Sequence, residues 1–187
     1  DETIWLSTEK QGLFKVNRNK VVENIQTQLK ENIRHVLADE RDNLWFYTEN
    51  NKLFNFIIKS KELIEHKKWQ EKAKHSNSKQ IEIIGSDLWY INNNNNLTLY
   101  NTATQSFVNY VAPGKVIIKK IQKDLKGDLW MISSKNQLIK FTVLNKSFHN
   151  TRVNLPKSYE NEQYINLKIS ENWFWLGSDT QGIALIN

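Results

Sequence analysis

The chain has 187 residues, enough for a well-buried single domain, and a formal net charge of +6 at pH 7. It contains no cysteine, which excludes disulfides, thiolate nucleophiles and cysteine-bearing zinc sites. Its 26 basic residues are mostly lysines scattered among 20 acidic residues, which favours a solvated surface over a nucleic-acid interface. No run approaches the ~20 apolar residues of a membrane span. We therefore expect no nucleic-acid or membrane contact by this segment.

A tryptophan recurs through the chain at intervals of 40, 44, 41 and 45 residues, at Trp5, Trp45, Trp89, Trp130 and Trp175. In every copy, a Leu or Ile eight positions later opens a second apolar run. The period fits a propeller blade of four strands. The apolar runs are short, rich in β-branched and aromatic residues and broken by turn residues, which indicates strands rather than helical repeats. The sequence thus predicts an all-β propeller of antiparallel four-stranded blades.

Five repeat units follow one another, at approximately residues 1–32, 33–78, 79–113, 114–160 and 161–187. With four strands A to D per unit, we predict strands at 4–8, 13–16 and 21–22; 35–38, 44–48, 53–57 and 62–66; 81–84, 88–91, 97–100 and 107–111; 116–121, 129–132, 138–143 and around 148; and 165–169, 174–177 and 183–186. These are 18 strands, since strand A of the first unit and strand D of the last are missing. We expect one domain (1–187), about five blades of a larger propeller, with exposed edges that favour self-association.

Strand C carries large side chains on both faces. Leu13 and Leu53 point one way, and Phe14 and Phe54 point the other. A strand with one solvated face would alternate with polar residues. Blades stacked face to face bury both faces, so we expect the five repeated tryptophans to lie in the core.

Loops supply the candidate ligand-binding residues. The D–A connections at 67–79 and 150–164 are long, and we expect solvated loops there, in preference to a short basic helix at 67–74. Asn92–Asn96 fills a B–C turn. In a propeller the D–A and B–C loops share a face, and ligands usually meet loops on a rigid scaffold. This face gathers aromatic, amide and charged groups suited to hydroxyl-rich or anionic sugars: Trp69, His75, Asn93, Asn94, Arg152, Tyr159 and Asp179.

Enzyme chemistry has little support in the sequence. The four histidines fall in different places without metal-ligand spacing, and six glycines form no phosphate loop. Asp39 and Asp124 recur at one blade position, where a turn cap explains them better than catalysis does. We predict no catalytic residue, no metal site and no cofactor.

Both Asp39 and Asp124 stand six residues before the Trp of their unit, and Gly12 and Gly182 stand just before the second apolar run. This pattern resembles the D-x-x-G-x-L-W-[IV]-G-T-x-x-G-G-L repeat of two-component regulator propellers, and the likeness covers the whole chain. Some units depart from it. Ile83 and Ile169 replace the Asp in the third and fifth units, and Lys52, Asn96 and Gln137 replace the late Gly in the middle units.

The resemblance implies a seven-bladed propeller in the periplasmic sensor half of a bacterial hybrid two-component histidine kinase. Such sensors recognise oligosaccharides and signal to a kinase, which would lie outside this sequence in the rest of a sensor kinase chain. We also expect self-association, through propeller edges or in a dimeric parent. On this reading the chain is a non-catalytic, ligand-sensing module. Two alternatives stay open: a protein–protein interaction propeller, and a polysaccharide-active propeller enzyme, which would need paired carboxylates on the inner strands.

Overall fold

The computed structural model describes residues 4–8, 12–17, 19, 22–25, 32–41, 43–73, 80–135, 137–151, 164–170, 173–178, 180 and 182–186. Within them the chain forms 18 strands in five antiparallel sheets, together with one helix. The strands are β1 (Ile4–Thr8), β2 (Gly12–Val16), β3 (Val22–Ile25), β4 (Ile33–Ala38), β5 (Leu44–Thr48), β6 (Leu53–Ile57), β7 (Glu62–Glu65), β8 (Ile81–Ile84), β9 (Asp87–Ile91), β10 (Leu97–Asn101), β11 (Ser106–Tyr110), β12 (Ile118–Lys123), β13 (Leu129–Ser133), β14 (Leu138–Thr142), β15 (Ser147–Thr151), β16 (Tyr164–Ser170), β17 (Trp173–Ser178) and β18 (Ile183–Ile186).

Consecutive strands pair within each sheet, as in propeller blades. The sheets contain β1–β3, β4–β7, β8–β11, β12–β15 and β16–β18, so the described residues give sheets of three, four, four, four and three strands. The predicted fold class is confirmed, and the described residues form 18 strands, as predicted. Predicted and observed strand ends differ by no more than three residues.

The chain divides into two compact units. The first comprises Asp1–Ser76 and Asn101–Ser106, and the second comprises Asn77–Tyr100 and Phe107–Asn187. In the first unit, Leu13 of β2 packs with Leu44 and Phe46 of β5. In the second, one core joins the third and fourth sheets and another joins the fourth and fifth. The prediction of a single domain concerns the relation between the two units and stays a prediction.

Both faces of the middle strands are buried, as the sequence predicts. All five residues of β5 are buried, and so are the first four of β6. The register places Phe46 opposite Phe54 on one face and Tyr47 opposite Leu53 on the other. Each fully buried large apolar side chain contributes about 1.5–3 kcal/mol.

The segment after β7 corrects one expectation. Lys67–Ala73 forms helix α1 instead of a solvated loop. The backbone N–H of Trp69 donates to the His66 carbonyl at 3.0 Å, and the Trp69 ring meets the Tyr47 ring edge to face at 6.1 Å. The helix forms because the tryptophan anchors it to the second sheet. No described helix is long and apolar enough to cross a membrane.

The fourth sheet begins later than predicted. A 3-10 turn occupies Pro113–Lys115, and β12 starts at Ile118 rather than Val116. The carbonyl oxygen of Val116 accepts a hydrogen bond from the Asn95 side chain, so Val116 is held by a turn of the third sheet.

The repeated tryptophans are buried to different degrees. Trp45 and Trp89 are buried, Trp5 and Trp130 are half-buried, and Trp175 is exposed. The core prediction is therefore wrong for Trp175, because its face of the fifth sheet lies open to solvent.

Candidate functional site

The turn between β9 and β10 is built from asparagines. Asn95 has a positive φ of 60° and donates its backbone N–H to the Asn92 carbonyl at 2.8 Å. The Asn92 side-chain oxygen accepts the Asn96 N–H at 3.1 Å. Asparagine suits this position because its short amide tolerates the left-handed region and bonds nearby backbone. The predicted turn is confirmed.

The same turn is hydrogen-bonded to the connection between β11 and β12, which leads into the fourth sheet. The Asn95 amide donates to the Val116 carbonyl at 2.6 Å and accepts the Ile118 N–H at 2.9 Å. From the other side, the Ser134 N–H donates to the Ile117 carbonyl at 2.6 Å. The turn and the connection are thereby fixed against each other within the second unit.

A pocket of about 300 Å³ lies where the turn meets this connection. We call it the Asn-turn pocket, and its lining residues are Asn94, Asn95, Asn96, Val111, Ala112, Lys115, Val116 and Ile117. Asn94 and Lys115 are exposed, and so are the apolar side chains of Val111 and Ile117. The pocket thus combines amide groups and one ammonium group with an apolar flank. That mixture is typical of sites for polar small molecules.

Backbone geometry places the lysine at this pocket. Gly114 and Lys115 have positive φ angles of 69° and 49°, and the Lys115 N–H donates to the Ala112 carbonyl at 3.3 Å. Two successive residues in the left-handed region turn the chain sharply after Pro113. No Asp or Glu lines the pocket, so Lys115 gives its lining a positive charge.

The predicted ligand-binding residues have different outcomes. Asn94 lines the Asn-turn pocket, and Asn93 is exposed in the same turn. Trp69 is 1 % exposed, so its ring offers no open face for stacking on a sugar. His75, Arg152, Tyr159 and Asp179 lie outside the described residues.

Sequence reasoning missed the other half of the pocket. It placed B–C and D–A loops on one face but selected only the long D–A connections. The connection from Val111 to Ile117 is short, and its apolar residues read as strand ends. The sequence signal for this half of the pocket was a short connection that holds Val111, Lys115 and Ile117, next to a unit with an Asn-rich turn.

A second polar cluster joins β8 to β12. The Glu82 carboxylate accepts the backbone N–H of Lys123, and the Lys123 ammonium donates to the Ile83 carbonyl at 2.7 Å. Two residues before Glu82, the Gln80 side chain accepts a hydrogen bond from the Ile121 N–H at 3.0 Å. Burial raises the pKa of Glu82 to about 7, and the positive charges of Lys123 and Lys168 oppose this rise.

The Glu82 cluster contains a single carboxylate among its named residues. Glu82 is the one carboxylate among the described residues of β4, β8, β12 and β16, the first strands of their sheets in chain order. General acid and base chemistry on a polysaccharide usually needs two. Among the described residues, no group of three or more His, Asp or Glu side chains is placed to hold a metal ion.

The two repeated aspartates cap turns. Asp124 accepts the backbone N–H groups of Lys126 and Asp128, each at 2.9 Å. Asp39 does the same for Arg41 and Asn43 at 2.9 Å. Their hydrogen-bonding capacity is used inside the blade, which confirms the prediction that they are structural.

No family model matches the chain, and no curated protein matches it. Solved structures are similar to it along nearly its whole length. The extracellular domain of the BT4673 hybrid two-component system from B. thetaiotaomicron has a TM-score of 0.67 at 15% identity, with 98% of this chain and 25% of that chain covered. The chain has the β-propeller fold.

Two further structures extend this finding. PorZ, a bacterial surface component of the type-IX secretion system of Porphyromonas gingivalis, has a TM-score of 0.66 at 12% identity, with 98% of this chain and 25% of that chain covered. Virginiamycin B lyase from Staphylococcus aureus has a TM-score of 0.64 at 16% identity, with 99% of this chain and 66% of that chain covered. The chain thus spans a quarter to two thirds of these proteins. At identities this low, the structural likeness shows the fold alone.

Proposed function

We propose that this chain is a non-catalytic sensing propeller of a two-component regulatory protein, and that it binds an extracellular oligosaccharide at the Asn-turn pocket. The observation that carries the proposal is the pocket itself, where a hydrogen-bonded asparagine turn meets Lys115 and an apolar flank. The turn is fixed before any ligand arrives, so little ordering cost opposes binding.

The lining chemistry fits a sugar. The Asn94 amide both donates and accepts hydrogen bonds, as hydroxyl groups require. Val111 and Ile117 offer apolar surface for the carbon face of a ring, and Lys115 offers charge to a carboxylate or sulfate substituent. A volume of about 300 Å³ is at the lower end of ligand pockets. It suits one or two sugar rings, with the rest of the oligosaccharide outside.

The signalling role has separate support. The Asp-to-Trp repeat resembles two-component regulator propellers, and a solved structure of similar fold is the extracellular domain of a hybrid two-component system. On this support we propose that the chain works in the periplasm and passes a ligand-dependent change to a histidine kinase in the rest of a sensor chain.

Calorimetric titration of the chain with neutral and acidic glycan fragments tests the site. Asn94→Ala weakens binding of every fragment that the wild type binds, because it removes an amide that meets hydroxyl groups. Lys115→Ala weakens acidic fragments about tenfold, the loss of one charge-assisted contact, and leaves neutral fragments almost unchanged.

Two variants serve as matched controls. Lys126→Ala removes an exposed lysine from the turn before β13, and Asn145→Ala removes an exposed asparagine from the turn between β14 and β15. Both retain wild-type affinity. The proposal fails if the wild type binds no fragment, or if Asn94→Ala and Lys115→Ala bind as well as these controls.

A further inference from the structure

The apolar part of the Asn-turn pocket is aliphatic. It consists of Val111, Ala112, Val116 and Ile117, and none of the described residues that line the pocket is aromatic. A flat ring stacks best on a flat aromatic face, which this lining does not offer. Branched aliphatic side chains can touch one side of a sugar ring, but they make more atomic contacts with a small group such as a methyl.

Two of these four residues carry the apolar surface that faces solvent. Val111 and Ile117 are 62% and 60% exposed, whereas Ala112 and Val116 are 4% and 5% exposed and belong to the core. A methyl group placed against Val111 and Ile117 removes apolar surface from water on the ligand and on the protein. Burial of such a group is the main apolar gain that a ligand can make in this pocket.

The amide groups beside this surface differ in how they are engaged. The Asn95 side chain donates to the Val116 carbonyl and accepts the Ile118 N–H, so it holds the pocket together. Asn94 also lines the pocket, and it is exposed. A carboxamide carries both an acceptor oxygen and an NH₂ donor. Asn94 can therefore bond the N–H or the carbonyl of an amide on the ligand.

The charge of Lys115 restricts what else that substituent can be. No carboxylate is present among the described lining residues to offset its ammonium group. A protonated amine on the ligand is repelled by Lys115. A neutral amide at the same position of the ligand is not.

We propose that the Asn-turn pocket selects sugars that carry an acetamido group, the N-acetylated amino sugars. The acetyl methyl packs against Val111 and Ile117, the acetamido N–H donates to the Asn94 carboxamide oxygen, and Lys115 disfavours the deacetylated sugar. This inference rests on the proposed function, because it names the class of sugar that the same pocket binds.

NMR titration at pH 6 with simple methyl glycosides tests the selection. Three glycosides that differ only at carbon 2, with an acetamido, a hydroxyl or an ammonium group, are compared in the gluco and the galacto series. The Asn94 side-chain amide and the methyl groups of Val111 and Ile117 report binding at the pocket. In at least one series the acetamido glycoside binds about tenfold more tightly than the hydroxyl glycoside, the combined effect of one buried methyl group and one hydrogen bond. The ammonium glycoside binds most weakly.

Variants assign this preference to individual side chains. Val111→Ser and Ile117→Ser each reduce the preference for the acetamido glycoside, and both are made so that the test stands if one of them does not fold. Lys115→Gln retains that preference and raises the affinity for the ammonium glycoside to about that for the hydroxyl glycoside. Val108→Ser is the matched control, because Val108 is a 42% exposed valine on β11 that does not line the pocket, and it retains the wild-type preference.

The outcomes separate this inference from the proposed function. Equal affinities for the acetamido and hydroxyl glycosides in both series would overturn the selection and leave the sugar site standing. A preference that is unchanged in folded Val111→Ser and Ile117→Ser would also overturn it, since the methyl contact would then lie elsewhere. If none of the six glycosides binds at the pocket, the inference is overturned, and the proposed function fails with it if the longer glycan fragments do not bind either.

Discussion

The Asp124 carboxylate accepts a hydrogen bond from the Trp130 indole Nε1–H at 2.9 Å. Asp39 and Trp45 form the same bond at 3.1 Å in the second sheet. In both sheets the other carboxylate oxygen accepts two backbone N–H groups of the intervening turn. The spacing of six residues therefore joins a turn cap to the indole of the core tryptophan.

Replacing Asp124 tests this double role. Asp124→Ala leaves two turn amides and the Trp130 indole without their acceptor, and we expect a loss of about 1–3 kcal/mol in the free energy of unfolding. Asp124→Asn is intermediate, because its amide oxygen accepts backbone N–H groups but its NH₂ group accepts nothing from the indole. Urea denaturation followed by tryptophan fluorescence measures both. Lys126→Ala in the same turn is the control, and an equal midpoint for Asp124→Ala and this control would contradict the prediction.

The sequence predicts this turn because all of its determinants are local. Asp, turn and Trp lie within seven residues, and their repetition exposes the pattern. The exposure of Trp175 is not local, because it depends on whether another sheet covers its face. The burial of Trp69 depends on Tyr47, 22 positions earlier. The Asn-turn pocket depends on bonds from Asn95 to residues 21 and 23 positions away. The strands of this chain can thus be predicted from local sequence. Surfaces formed between segments far apart in the sequence cannot.

Asn95 holds the pocket together, which can be tested by separating its backbone and side-chain roles. Asn95→Gly retains the positive φ but loses the bonds to Val116 and Ile118. Asn95→Asp retains the acceptor for the Ile118 N–H and loses the donor to the Val116 carbonyl. We expect amide exchange at Ile118 to speed up about tenfold in the glycine variant, as one lost hydrogen bond of about 1.4 kcal/mol implies. In the aspartate variant we expect a smaller increase, because the acceptor for Ile118 remains while a carboxylate oxygen faces the Val116 carbonyl.

Hydrogen-exchange NMR of the two Asn95 variants provides the measurement, with Asn145→Gly in an exposed turn as the control. Unchanged protection of Ile118 in Asn95→Gly would show that the connection is held by other contacts.

Trp69 anchors helix α1, and its removal tests whether it serves the core. Trp69→Ala leaves a cavity beside Tyr47, and we expect it to lower the free energy of unfolding by about 3–5 kcal/mol. Trp69→Phe retains an aromatic ring at the contact and loses less. Lys68→Ala, an exposed neighbour on the same helix, changes stability little. Chemical denaturation followed by circular dichroism compares the three variants. If Trp69→Ala were as stable as Lys68→Ala, Trp69 would not contribute to the core.

Glu82 makes stability depend on pH in a defined direction. Its folded pKa of about 7 lies above the ordinary value of 4.5 because burial disfavours the charged carboxylate. Below pH 4.5 the carboxyl is protonated in both folded and unfolded states, so its contribution to stability is fully present. As pH rises toward 7, the unfolded state releases the proton first, and that contribution is lost. The expected loss is on the order of 1–3 kcal/mol.

Glu82→Gln isolates this effect. Glutamine retains an acceptor for the Lys123 N–H but does not titrate, so the difference in stability between variant and wild type changes only through Glu82. Burial lowers the pKa of His35 and His66, which stabilises the fold as pH rises, but this effect is common to both proteins and cancels. Unfolding free energies at pH 4, 5.5, 7 and 8 give the difference directly. Parallel pH profiles for the two proteins would mean that Glu82 ionises normally and that β8 and β12 are held together independently of its charge.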